Sequence, residues 1–261
     1  MRRVAVVTGA GRGIGAAVVD ALVAQGLSVV AVDRCRDDAA VPYALATRKD
    51  LDTVVGRHGE HALSLVGDVR SASDMRLAVE TAVEHFGRVD VLVAAAGVIA
   101  GGVPLWEMAD TTYDAVIDIN LHGTRRLFDA AVLRLLDEPA PRQGRLLAVS
   151  SAAGKVGLTN LAAYVAAKHG VIGLVRGLAC DLAGTGITVN AVCPGSTDTS
   201  ILAASASLYD LDSVEEFASH QLVGRLLEPA EPAALLGWLA SEEASGVTGA
   251  VVSVDGGMTT T

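Results

Sequence analysis

Two periodicities alternate along this chain. Short runs of aliphatic and β-branched residues, most plainly Val4 to Thr8, Ser28 to Val32 and Val251 to Val254, have the length and composition of buried strands. Further strands fit Ala62 to Val66, Val89 to Ala94, Arg145 to Ser150 and Thr188 to Val192. Between them the spacing is helical over Gly13 to Gln25, Ala72 to Phe86, Thr111 to Leu136, Ala162 to Leu182 and Ala230 to Leu239. Such alternation predicts right-handed βαβ crossovers, and so an α/β fold with a doubly wound parallel sheet whose ligand lies beyond the C-terminal strand ends. No second domain, internal repeat or low-complexity linker interrupts the pattern, and residues 1–261 read as one domain.

The first strand runs into a glycine turn and then a helix, in VAVVTGAGRGIGAAVVDAL. That order is the context a Rossmann-type dinucleotide fingerprint requires. Gly9, Gly13 and Gly15 let the backbone approach a pyrophosphate, Arg12 and Ile14 complete the turn, and the helix N-terminus favours negative charge. Similar turns also occur without a ligand, and the spacing here is Gly9-xxx-Gly13-x-Gly15 rather than the commoner G-x-G-x-x-G. The second strand ends in Asp33, eighteen residues after Gly15. A carboxylate there accepts hydrogen bonds from an adenosine ribose and repels a 2′-phosphate, which favours NAD over NADP. Arg34 beside it is read either as a phosphate partner or as an ordinary exposed arginine.

Tyr164 and Lys168 in AAYVAAKHG, with Ser151 thirteen residues upstream of Tyr164, carry the chemistry. On a helix, i and i+4 share a face, one turn apart. A phenol with an ordinary pKa of about 10 is a poor proton-transfer group, and a neighbouring cation is expected to lower it. The competing reading is an exposed helix on which the two residues fall together by accident.

The pattern TGxxxGxG matches Thr8 to Gly15 and YxxxK matches Tyr164 to Lys168, so the chain resembles the short-chain dehydrogenase/reductase superfamily over nearly its whole length. The resemblance implies a seven-stranded sheet, a catalytic Asn120 in DINLHG, a catalytic Ser151 in VSSAAG, and a PG motif at Pro194 and Gly195. It also implies that Asp68 by side chain and Val69 by backbone read the adenine edge, against the alternative of an ordinary helix-start Asp68. Where the superfamily usually has NNAG, this chain has Ala94-Ala95-Ala96-Gly97. Backbone contacts from Ala95, Ala96 and Gly97 to a cofactor survive that change, but the bracing of the sheet by an Asn side chain must pass to another polar group or to water. The tract Val41 to Leu51, within an insertion at about residues 35–60, and the segment AAAGVIAGG resemble the mycofactocin-coupled, carveol-dehydrogenase-like subset. That subset implies NAD held without free exchange and a mycofactocin-type redox carrier as external partner; the alternative is a surface loop of no consequence. Tyr43 and Leu45 are the residues expected to face inward.

The implied mechanism follows. In oxidation, Tyr164 as phenolate takes the alcohol proton while the hydride passes to nicotinamide, and Ser151 steadies the oxygen. Lys168 holds the nicotinamide ribose and lowers the Tyr164 pKa, and Asn120 holds a water linking Lys168 to solvent; for Asn120 alone, a helix-bending residue bonded to backbone is the alternative. Thr197 and Thr199 either bond the cofactor's carboxamide or pyrophosphate, or bond their own backbone in the turn. Residues 200–227 are expected to form a lid, with Ile201, Leu202, Leu208, Leu211, Phe217 and Leu222 as apolar pocket wall, core or interface.

Composition narrows the rest. Fifty-one per cent apolar residues and 28 glycines suit a sheet covered on both faces. A formal charge of −10 disfavours nucleic acid as a partner. The longest apolar tract, Val91 to Trp106, is broken by Gly97, Gly101, Gly102 and Pro104, so no membrane span is expected. Arg2 and Arg3 lead into the first strand without a cleavage pattern, and a cytoplasmic protein is expected. Cys35, Cys180 and Cys193 read as free thiols, and His122, His169 and His220 are too scattered for a metal site. A homotetramer paired through the helices at Thr111 to Leu136 and Ala162 to Leu182 rests on the resemblance alone. The reading reached is an NAD-dependent oxidoreductase acting on a small secondary alcohol or ketone. The alternatives are an NADP-dependent 3-ketoacyl reductase, which Asp33 disfavours, and a nucleotide-sensing scaffold, which the presence of Asn120, Ser151, Tyr164 and Lys168 together disfavours.

Overall fold

The alternation of side chains along β1 (Val4–Thr8) sets the layering. Val4 and Val6 enter one apolar layer with Met75, Leu127 and Val171, while Ala5 and Val7 enter the other with Val18, Leu51 and Leu236. A strand buried on both faces belongs at the centre of a covered sheet. The computed structural model describes residues 2–260; Met1 and Thr261, the ends of the expected single domain, lie outside the described residues. β1 is joined by β2 (Ser28–Asp33), β3 (Ala62–Val66), β4 (Val91–Ala94), β5 (Arg145–Val149), β6 (Thr188–Pro194) and β7 (Val251–Val254). Their order is β3-β2-β1-β4-β5-β6-β7, with every neighbouring pair parallel. The chain reverses direction across the sheet between β1 and β4, so a crevice opens at their C-terminal ends.

One face is covered by α1 (Gly13–Ala24), α2 (Arg48–Gly56) and α8 (Ala230–Ala240), and the other by α3 (Ala72–Phe86), α5 (Gly123–Asp137) and α6 (Ala162–Asp181). The helix α2 was not foreseen. Only Leu51 and Val54 of its nine residues are buried, too few for a clear period. Its start was nevertheless written in the chain as a capping box: Thr47 accepts from Asp50 N, and the Asp50 side chain accepts from Thr47 N at 2.8 Å.

The helix expected over Thr111 to Leu136 is broken. It consists of α4 (Asp110–Ile117), a π-helical turn at Asp118–His122, and α5. Asn120 lies inside that turn and donates to the Val116 carbonyl of its own helix at 2.8 Å and to the Val98 carbonyl at 2.9 Å. A side chain competing for the helix ladder and anchored to a neighbouring loop is a recognised cause of such a bulge. The lid consists of α7 (Ser200–Leu208) and a 3-10 helix at Val214–His220, and its far end pairs back onto the PG loop through a bridge between Thr197 and Leu227. No helix among the described residues is long and apolar enough to cross a membrane.

Candidate active site

A cavity of about 650 Å³ occupies the crevice beyond β1 and β4. Its floor is the glycine turn. Gly9 has φ +68, and a Cβ there would lie 2.6 Å from the Ala96 backbone, so only glycine lets the two loops meet. A Cβ on Gly15 would lie 2.0 Å from the Gly9 carbonyl oxygen, which fixes the tight return into α1. Arg12 caps α1 through its backbone alone, no side chain caps the first turn, and no carboxylate lies in it. The free N–H groups and the positive end of the helix therefore face the cavity uncompensated, the arrangement that suits a phosphate. Gly13 and Ile14 complete the wall there.

The loops after β4 and β6 close the cavity's sides. Ala95, Ala96 and Gly97 line it as small residues. The bracing that an Asn would supply is taken over by Thr8, whose hydroxyl donates toward the Val93 carbonyl at 3.5 Å and accepts from Ala96 N at 3.4 Å. Pro194, Gly195, Thr197 and Thr199 line the opposite side. The Thr197 hydroxyl donates to the Gly195 carbonyl at 3.1 Å, and the Thr199 hydroxyl donates to the Thr197 carbonyl at 3.1 Å and caps α7. Both hydroxyls bond their own turn, the competing reading drawn from the sequence.

At one end Asp33 closes the cavity. Its carboxylate accepts from Gly11 N at 2.9 Å and Cys35 N at 3.3 Å, which ties β2 to the glycine turn. Gly11 was missed from the sequence because its own spacing falls outside the pattern. Arg34, Asp68 and Val69 line the same end. The Asp68 side chain is bonded to Arg70 at 2.8 Å and lies 3.1 Å from Arg34, so the structure engages it with arginines. From this end the segment 41–47 runs towards the cluster around Ile99 and Tyr164. Tyr43 is half-buried and its hydroxyl accepts from Ile99 N at 3.1 Å, Leu45 and Ala46 line the cavity, and Arg12 donates to the Ala44 carbonyl at 2.7 Å.

At the other end, Ser151 leaves β5, its hydroxyl accepting from Ala153 N at 3.1 Å, and lines the cavity together with Tyr164. Tyr164 and Lys168 are buried on α6, with the Lys168 ammonium 5.6 Å from the centre of the Tyr164 ring and donating to the Val149 carbonyl at 2.9 Å. Here the structure corrects the expectation of a lowered phenol. Burial pushes Tyr164 up to about 12, the neighbouring Ser151 hydroxyl opposing only in part, and burial brings Lys168 down to about 8. Both groups have left water, and the ammonium is aimed at a backbone carbonyl, so desolvation outweighs attraction. At neutral pH the pair rests as phenol and ammonium. Asn120 stands outside the cavity wall: its side chain braces Val98 through both N–H and C=O, and its Oδ1 would lie 2.8 Å from a Cβ on Gly97. Its side chain positions the Gly97–Val98 loop against Lys168.

The matrix of glycine turn, Asp33, Ser151, Tyr164 and Lys168 in one crevice has clear relatives. Residues 9–259 match the family model described as enoyl-(acyl carrier protein) reductase. The chain is similar to the putative ketoacyl reductase of the monensin polyketide synthase from Streptomyces virginiae, 39% identical over 98% of this chain and 97% of the relative. It is also similar to the cis-4-hydroxycyclohexanecarboxylate dehydrogenase of Sinomonas cyclohexanicum, 38% identical over 98% and 96%. Among solved structures it resembles carveol dehydrogenase from Mycobacterium avium in complex with NAD, with TM-score 0.93 and 30% identity, covering 99% of this chain and 98% of that one. The chain belongs to the short-chain dehydrogenase/reductase family. It is an oxidoreductase of that family, acting on alcohol or ketone groups.

In this short-chain dehydrogenase/reductase the half of the cavity under the lid is largely apolar. Ile201, Leu202, Leu211 and Phe217 line it, whereas Leu208 packs on Gly102 and Leu222 is exposed. The lid is held over the site by the Tyr209 hydroxyl, which donates to the Thr159 carbonyl at 2.8 Å. Tyr209, Ser205 and Met258 escaped the sequence reading, because nothing local in a lid or a tail marks which side chains turn inward. No Arg, Lys, Asp or Glu lines the lid segment of the cavity among the described residues; its ionisable groups are the Tyr209 phenol and the exposed His220.

Proposed function

We propose that this enzyme transfers a hydride between a neutral, largely apolar secondary alcohol or its ketone and NAD. The observation that carries the reading is the convergence of Ser151, Tyr164 and Lys168 on one end of a cavity whose other end is closed by Asp33. The glycine cradle and the uncapped α1 fit a dinucleotide, and Asp33 with Gly11 fits a ribose without a 2′-phosphate. Gly9, Gly13, Ile14, Gly15, Ala95, Ala96, Gly97, Pro194 and Gly195 would hold the dinucleotide largely by backbone, with Val69 beside the adenine. When bound, the nicotinamide accepts or supplies the hydride.

The protein's own share is the proton and the oxygen. With a phenol held near 12, Tyr164 at neutral pH is the proton donor to a carbonyl oxygen, while Ser151 fixes that oxygen by hydrogen bonding. Lys168 keeps positive charge beneath the phenol up to about pH 8, favouring the phenolate left after transfer. Alcohol oxidation runs the same step backwards and first requires the Tyr164 proton to leave. The apolar lid excludes water and accepts a substrate without a carboxylate.

The segment 41–47 supports the further reading that NAD is retained and that an external redox carrier of the mycofactocin type reoxidises it in place. Arg12, bonded to Ala44, holds this strap near the glycine turn, and Tyr43, bonded to Ile99 and packed on the cluster that contains Tyr164, carries it towards the catalytic end. A homotetramer in the cytoplasm completes the proposal. The test is an absorbance spectrum and denaturing extraction of freshly purified protein, followed by a panel of neutral secondary alcohols with free NAD or an artificial electron acceptor. Stoichiometric NAD in the extract and turnover with the acceptor alone are expected. Protein that arrives empty and turns over rapidly with added NAD refutes retention and leaves the dehydrogenase reading standing.

A further inference from the structure

Four of the charges at the adenosine end close a ring. Asp38 bridges Arg34 and Arg70, the latter at 2.9 Å. Asp68 bridges the same two arginines from the other side, at 3.1 Å to Arg34 and 2.8 Å to Arg70, with the exposed Arg36 at 3.8 Å. Both carboxyls are held below the usual carboxylate range: burial pushes each up, and hydrogen bonds and the arginines more than offset it. Arg34 is the arginine of the ring that lines the cavity, with Asp33 and Asp68. Its one side-chain hydrogen bond goes to Asp38, because its Nε, though 3.1 Å from Asp68, is not aligned to donate.

An arginine at the end of β2 is the group that a 2′-phosphate would seek. We propose that Asp38 is a cofactor-specificity residue, which holds Arg34 in a closed charge ring and so denies a 2′-phosphate the cation it needs. The inference rests on the NAD reading of this site and adds a second barrier to the repulsion from Asp33. A phosphate dianion would have to break the Arg34–Asp38 pair and then sit beside two further carboxylates, and in a partly buried site neither cost is screened away. The root of the strap is built on the same residue, whose Oδ1 accepts from Ala40 N at 2.9 Å and whose carbonyl accepts from Val41 N at 3.0 Å. Asp38→Asn removes the charge while keeping an oxygen for Ala40.

The experiment is calorimetric titration of charcoal-stripped protein with adenosine 2′,5′-bisphosphate and with 5′-AMP, which differ only in the 2′-phosphate. Asp38→Asn is expected to improve the ratio of affinities in favour of the bisphosphate about tenfold, and Arg34→Met in the same background is expected to cancel the gain. An Asp38→Asn variant that shifts both ligands equally, or a double variant that retains the gain, overturns the proposal. The wild-type ratio judges the NAD reading separately: tighter binding of the bisphosphate refutes that reading, while the ring is judged by the change between variants.

Discussion

The two ends of the cavity handle polar groups by opposite means. At the catalytic end, beside Ser151, Tyr164 and Lys168 are desolvated, and burial itself sets their protonation. At the adenosine end, Asp33, Arg34, Asp38, Asp68 and Arg70 are many and partly exposed, and each charge is satisfied by a neighbour. Desolvation governs whether a proton is present, whereas paired charge, in the proposal made above, governs which anion is admitted. On that proposal chemistry and selectivity are separated along one cavity.

The largest expected effect lies at the desolvated end. Tyr164→Phe keeps the packing but removes the proton, and kcat for ketone reduction should fall about a thousandfold. A variant with most of its activity would show that the contrast between the ends has no catalytic meaning. Next is Lys168, whose charge is present below about pH 8 and lost above it. The reduction rate should be level near neutrality and decline as pH rises through that value, while Tyr164 remains protonated until about 12. Lys168→Met should lower the rate about a hundredfold and abolish the alkaline decline. An unchanged decline in that variant would assign it to another group.

Asn120→Ala tests the brace between the ends. It strands the buried Val98 N–H and C=O, and the melting transition should report a loss of about 2–3 kcal/mol. An equally stable variant would mean that the π turn, not the side chain, holds the loop. The smallest effect is expected at the strap, where Tyr43→Phe removes the oxygen that accepts from Ile99 N. NAD release, followed by fluorescence, should quicken by about threefold to tenfold, the equivalent of about one hydrogen bond. Unchanged release would reduce the strap to a surface loop.

Much of this architecture was legible along the chain. The strand cores of β1, β2, β3 and β7, the glycine turn, Asp33 and the pair Tyr164–Lys168 each follow from local pattern, and all of these site residues meet in one cavity. What was not legible depended on partners distant in sequence. The role of Thr8 as the brace in place of an Asn needs Ala96, eighty-eight residues away. The break in the helix around Asn120 needs Val98, which no helical period contains. α2 was hidden by its brevity, although Thr47 and Asp50 marked its start.

The sequence by itself determined the layers, the family and which residues are proposed to react, because those depend on period, spacing and residue type. Only the tertiary structure decided their protonation and their partners. The i, i+4 spacing predicted that Lys168 would lower the phenol of Tyr164; the burial of Tyr164 raised it instead, and the ammonium is engaged by the Val149 carbonyl. Arg34 read alone was an exposed side chain or a phosphate ligand, and the fold left it part-buried between Asp38 and Asp68. The energy of a charge is set by what surrounds it in space, and that environment is assembled only when the chain folds.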